Sequence, residues 1–295
     1  MQNDNLKSYL HLHVIVFIWG FTAILGKLIS LEALDLVWFR MFFGALFIVA
    51  YLILKKNSIK VPINALIGFI ISGIIIAAHW YTFYQAIKIS NISITLACLS
   101  TGAFFASLIE PIFYRRKVIW YEVAFGLFAV IGISIIFNAE TNHALGIVLA
   151  IISAFLSALF SVINSKYAKI YDANIISFYE LSSGVLFLSL YLFATEKFST
   201  SFFQLTFEDL FWLLILASIC TAYAFSASIK VMKFLSPFTV MLTVNLEPVY
   251  GIILALLIFK DSEHMNSLFY IGAAIILLTV IANGIVKNSK KLKTN

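Results

Sequence analysis

Ten apolar runs of about 20 residues each follow one another along this chain, separated mostly by short polar joints. An α-helix needs that length to cross the hydrocarbon core of a bilayer. The runs fall at about 10–30, 35–54, 65–87, 92–114, 118–137, 145–166, 174–195, 209–229, 237–259 and 267–286. Sustained strand-like alternation is absent, which argues against a transmembrane β-barrel. Charge agrees with lipid as the solvent: Asp, Glu, Lys and Arg make up 12% of the residues, against about 25% in an ordinary soluble domain. The expected fold class is an all-α membrane protein with ten transmembrane helices. The first run, after Lys7, has no A-x-A-like cleavage pattern, so it reads as a retained helix and not a signal peptide.

Ten crossings put both termini on one side. On that side lie Lys7, Lys55, Lys56, Lys60, Arg115, Arg116, Lys117, Lys166, Lys169, Lys230, Lys233, Lys287, Lys290, Lys291 and Lys293, fifteen bases; the other side has Lys27, Lys88, Lys197 and Lys260, four. Basic loops stay cytoplasmic, so the expected placement is a multi-pass protein of the cell membrane with both termini in the cytoplasm. The same tally accounts for the net charge of +6 without a nucleic-acid face; the expected partners are the lipid bilayer and a small-molecule substrate, and a homodimer is compatible with the sequence. Cys98 and Cys220 lie in apolar runs and read as small hydrophobes. His11 and His13 form a weak H-x-H pattern. No metal site and no cofactor are expected.

The second half echoes the first. Residues 33–52, ALDLVWFRMFFGALFIVAYL, align with 173–192, ANIISFYELSSGVLFLSLYL, at an offset of 140, and Lys88 meets Lys233 at an offset of 145. The reading is two five-helix repeats, 1–140 and 141–295. Five is odd, so the repeats cross the membrane in opposite directions, the inverted plan of many secondary transporters, whose substrate site lies near the midplane between the repeats.

Few polar groups interrupt the spans. Glu247 lies about ten residues into the ninth, roughly 15 Å deep in a ~30 Å core. A carboxyl there faces a wet cavity, pairs with a cation or is protonated. Pro248 beside it cannot donate a backbone hydrogen bond and marks a kink, freeing the carbonyl of Val244. Together they predict a polar notch for a substrate amine or a proton. Arg40 and Glu180 occupy equivalent repeat positions at depths differing by roughly 13 Å, which predicts charged guards at the two mouths of one cavity. Arginine favours anionic groups such as a carboxylate. His79 heads an aromatic set of Trp80, Tyr81, Phe83 and Tyr84, readable as an interface belt or as a cavity wall. Ser153, Ser157, Ser161 and Ser165 recur every fourth residue, with Ala150, Ala154 and Ala158 alongside, a spacing suited to close helix packing. Glu110, beside Arg115, Arg116 and Lys117, reads as an interfacial ion-pair residue.

The ten-span, two-repeat plan, Trp19-Gly20-Phe21 in span one and the ending LEPVYGIILALLIFKDSE … YIGAAIILLTVIAN resemble the EamA-type branch of the drug/metabolite transporter superfamily. Members of that branch usually carry Gly-Glu after the apolar run of span nine; here the pair is Lys260-Asp261, and the first repeat has Arg115-Arg116. The resemblance implies a carrier that exports or exchanges small metabolites. It also implies a cavity lined by spans one to four and six to nine, Trp19 among the lining residues, and spans five and ten as peripheral supports. A polytopic enzyme acting on lipid is the rival reading, but no H-E-x-x-H pattern, Gly-rich phosphate loop or paired acids within a span appear. A non-transporting sensor or scaffold is the third.

Overall fold

The computed structural model describes residues 2–115, 117 and 119–293; Arg116, one of the bases tallied above, lies outside them. Among the described residues there are helices and no strands. In chain order they are α1 (Gln2–Gly20), α2 (Thr22–Leu28), α3 (Ala33–Leu54), α4 (Ile63–Ile89), α5 (Ile92–Leu99), α6 (Gly102–Phe113), α7 (Trp120–Ala139), α8 (Ala144–Tyr167), α9 (Ala173–Ala194), α10 (Phe207–Ile215), α11 (Ala224–Val231), α12 (Pro237–Val244), α13 (Glu247–Phe259) and α14 (Ser267–Lys293). A π-helical turn, Leu216–Tyr223, joins α10 to α11. Among the described residues, eight stretches are long and apolar enough to cross a membrane: Leu6–Leu28, Ala33–Leu54, Ile63–Ile89, Ile92–Phe113, Thr141–Tyr167, Ala173–Ala194, Phe207–Val231 and Pro237–Phe259. In α7 and α14 the described apolar stretches, Val130–Ala139 and Ser267–Thr279, are shorter.

Several of these spans are broken or locally rewound, and the breaks have local causes. Span four stops at Leu99 and restarts at Gly102; span nine stops at Val244 and restarts at Glu247. The restarts stand 145 residues apart (102 and 247), as do the starts of α5 and α12 (92 and 237). Side chains cap both leading halves: Asn91 accepts from the Ile94 N–H, and Ser236 from the Thr239 N–H, each satisfying one orphan donor of a helix N-terminus. Pro248 falls in the first turn of α13, where its missing N–H costs nothing. The proline therefore begins a helix after the break, where the sequence suggested a kink within one.

Packing centres on α4, which runs against α8 and α9, and on α3, which runs against α9 and the π turn. Glycine permits the closest approach: a Cβ on Gly73 of α4 would lie 2.3 Å from the Glu180 carbonyl oxygen of α9. α7 and α14 pack chiefly on each other, with Gly132 and Gly272 each backed onto the other's carbonyl. Span four crosses span nine with α5 against α13 and α6 against α12, so both breaks fall beside the middle of the bundle.

Candidate functional site: an aromatic-walled cavity at the breaks

A cavity of ≈ 60 Å³, counted as space open to the centre of a water molecule, lies where the broken helices meet. It has room for a few waters. Trp19 and Thr22 line it from span one, Arg40 from α3, His79, Trp80 and Phe83 from α4, Ser157, Phe160 and Ser161 from α8, Phe225 and Ser228 from α11, and Val244 and Glu247 at the second break. Among the described residues, none of α7, α9 or α14 is in its walls.

Arg40 is 3% exposed, and three neighbours fix it. Its Nε donates to Thr221 Oγ1 at 2.8 Å and its Nη1 to the Tyr84 hydroxyl at 2.7 Å. The guanidinium lies over the Trp80 ring, 3.8 Å from the centroid, a cation–π contact that strengthens away from water. The π turn serves this arrangement. It lets Thr221 donate to the carbonyl of Leu216, five residues back, while accepting from Arg40. The Cys220 carbonyl in the same turn accepts from the Trp19 indole at 3.1 Å. Two of the five guanidinium N–H groups are used by these bonds, and among the described residues no carboxylate lies within ion-pair distance. Arg40 therefore brings a positive charge and spare donors to the cavity.

Glu247, 5% exposed, is the first residue of α13, where the helix dipole favours a negative charge. Thr22 and Arg40 line the same cavity as Glu247. The Thr22 hydroxyl donates to the Trp19 carbonyl at 2.7 Å, and because Thr22 shares the cavity with Glu247, the break at Phe21 in span one faces the break in span nine. Gly20 makes this approach possible, since a Cβ there would come within 2.9 Å of Tyr250 Cβ. The Trp19-Gly20-Phe21 motif is thus one anchoring indole, one close contact and one helix break.

His79 is buried against α8. Its Nδ1 lies 2.9 Å from the Ser153 carbonyl, which can only accept, so Nδ1 carries a hydrogen. The serine track packs α8 into the bundle and also lines part of the cavity. All four hydroxyl residues are buried; Ser157 and Ser161 reach the cavity, while Ser153 holds His79 and Ser165 meets the Tyr114 hydroxyl at 2.6 Å.

Two expected site residues lie elsewhere. Glu180 does not guard a mouth of this cavity. It is fully buried between α4, α8 and α9; its Oε2 accepts from Asn164 Nδ2 at 3.2 Å, and Ser72 donates to Asn164 Oδ1 at 3.1 Å. The reason is the glycine contact: Gly73 draws α4 onto the Glu180 backbone, closing the space an open mouth would need. Tyr81, 37% exposed, points away from Arg40 into a surface groove with Gln85 and Tyr191. It belongs to the outer face of α4, whereas Trp80 and Tyr84 hold the arginine.

The two ends of the bundle differ. Where α2, α4 and α13 finish, Lys27 Nζ meets Glu263 Oε1 at 2.7 Å. Glu263 also accepts from the backbone N–H groups of Ile92 and Ser93 and from the Ser93 hydroxyl. Lys88 donates to the Ile29 carbonyl, and Asp209 accepts from the Ser30 N–H and hydroxyl. At the opposite end a groove of ≈ 370 Å³ remains, lined by Glu110, Tyr114, Ser165, Lys169, Lys233 and Ser236 among others. The sequence reading missed Thr22, Tyr84 as an arginine partner, Thr221 and the Lys27–Glu263 pair. Period and composition hold no signal for contacts between residues 181 or 236 positions apart. A Lys and a Glu each near the end of an apolar run are the only trace.

A helical bundle with eight membrane-length stretches among its described residues and ionisable side chains buried at its centre defines a multi-pass membrane protein. The family model described as "EamA-like transporter family" matches the chain twice, over residues 6–138 and 144–284. A protein of Clostridium kluyveri named "Uncharacterized transporter" is 21% identical over 292 residues, covering 94% of this chain and 93% of that protein. A solved crystal structure superposes with a TM-score of 0.69 at 13% identity, over 94% of this chain and 96% of the other, a likeness of fold. The chain belongs to the EamA-like transporter family, as its sequence resemblance implied. It is a membrane transporter in the general sense that the family and its relative share.

Proposed function

We propose that the protein is a secondary transporter that moves a small zwitterionic, amino-acid-like metabolite by alternating access, in the direction of export. The observation that carries this reading is that Arg40 and Glu247, a fixed cation and an acid, line one aromatic-walled cavity. A guanidinium with spare donors suits a carboxylate, and Glu247 suits an ammonium group.

Two inverted five-helix repeats, 1–140 and 141–295 with ten spans in all, would supply the motion. Supporting this plan are the double family match, the common offset of 145 between the broken spans, and α3 and α9, which start and end 140 residues apart (33 and 173, 54 and 194). Rocking one repeat against the other would part the Lys27–Glu263 tie at one end and close the basic groove at the other. With the basic end cytoplasmic, the tied end is the outer gate. The protein would sit in the cell membrane with both termini inside.

A thermal-shift screen of the purified protein tests the substrate class, since ligands of the folded state raise its apparent stability. Zwitterionic amino acids are expected to protect; their decarboxylated amines and deaminated acids protect at least tenfold more weakly. Arg40→Ala and Glu247→Gln each lose the preference for the zwitterion. Equal protection of wild type and both variants would rule the reading out.

A further inference from the structure

Besides the cavity, the molecule carries two surface grooves that mirror each other. One, of ≈ 780 Å³, contains positions 33, 34, 187, 188 and 191, which answer 173, 174, 47, 48 and 51 of the other at an offset of 140. Its positions 77, 78, 81 and 85 answer 222, 223, 226 and 230 at an offset of 145. The scaffold is shared but the chemistry is not. The first groove carries Glu32, Asp35 and Lys197. The second, of ≈ 390 Å³, has Lys230 where the first has Gln85, adds His11, and includes no acid among its walls.

We infer that the second groove binds the headgroup of an anionic glycerophospholipid. Lys230 is exposed at its rim and, among the described residues, has no ion-pair partner. Ser226, 6% exposed, lines the groove, and its buried hydroxyl has no hydrogen-bond partner among the described residues. A phosphodiester oxygen offers an acceptor to Lys230 at the rim, and to Ser226 once its side chain turns into the groove. Tyr223 is held by His11 Nε2 at 2.9 Å. Tyr51 and Phe47, 45% and 40% exposed, continue the wall as an apolar and aromatic flank along which acyl chains can lie. Nearby Asp172 is already engaged by Asn174, accepting from its backbone and side-chain N–H groups. Basic pockets between membrane helices are suited to such headgroups.

The test titrates phosphatidylglycerol, and separately phosphatidylcholine, into the purified full-length protein in neutral detergent, reading thermal midpoint and retained lipid phosphorus. Phosphatidylglycerol is expected to stabilise the wild type at concentrations where phosphatidylcholine does not. Lys230→Gln raises the half-effective concentration about fivefold, the value of one lysine at an anionic surface. Ser226→Ala raises it about twofold, and Lys197→Gln in the mirror groove leaves it unchanged. Equal response to the two lipids, an unchanged titration in Lys230→Gln, or equal protection by free glycerol phosphate would each overturn the proposal. The readout is lipid binding, so it stands apart from any result on solute flux.

Discussion

Arg40 and Glu180 stand 140 positions apart on helices of the same length, α3 and α9, yet their surroundings are opposite. Arg40 meets an aromatic face, two hydroxyls and a cavity. Glu180 meets one amide and closed packing. The difference lies in the neighbours. Beside Arg40, the π turn widens the helix and presents Thr221. Beside Glu180, Gly73 lets two backbones touch. Two helices of equal length thus place one charge beside a cavity and lock the other into closed packing.

Gly73→Val is expected to have the largest effect, because the obstacle to a new side chain is the Glu180 backbone, which cannot rotate aside. Overpacking costs about 1–3 kcal/mol where the surroundings can yield, and more where, as here, the obstacle is backbone. Size-exclusion chromatography should show little monodisperse protein; wild-type yield and thermal midpoint would mean that the α4–α9 contact is loose. Next comes the contrast between the two charges. Arg40→Ala should leave a folded protein with solute flux reduced tenfold or more, while Glu180→Gln, which keeps the acceptor for Asn164, should stay within about twofold of wild type. A reversal of that order in proteoliposome flux would mean that Glu180 serves a second path.

Thr221→Val removes the acceptor of Arg40 Nε. Loss of a hydrogen bond to a charged group costs about 1.5–3 kcal/mol, so chemical denaturation should register it, with a flux defect milder than that of Arg40→Ala. Lys260→Gly should have the smallest effect and the opposite sign. Lys260 holds φ 47° and ψ −116° at the end of α13, a conformation glycine adopts readily and other residues do not. The gain is about 1 kcal/mol, visible as a raised thermal midpoint. Arg115, 145 positions earlier (115 and 260), holds φ 49° at the end of α6.

The membrane class and the positions of nearly all helices were legible because apolar length is a one-dimensional signal. Gly102 and Glu247, 145 positions apart (102 and 247), both restart a broken helix. The site was legible only as a set of suspects. A charge in an apolar run announces that it needs a partner but not which one. Arg40 and Glu247 proved to share a cavity, while Glu180 found its partner 16 residues back on α8. Periodicity gave no warning of the π turn, since it changes hydrogen bonding without changing composition. Lys260 carried a different clue: a lysine where the resembling family has glycine fell on a backbone conformation that favours glycine.

The most direct test of the account is counterflow of radiolabelled amino acids into proteoliposomes, comparing wild type with Arg40→Ala and Glu247→Gln. The account predicts that wild type accumulates at least one zwitterion and that both variants, folded and inserted, fall to the level of empty liposomes. Undiminished accumulation in both variants would contradict it.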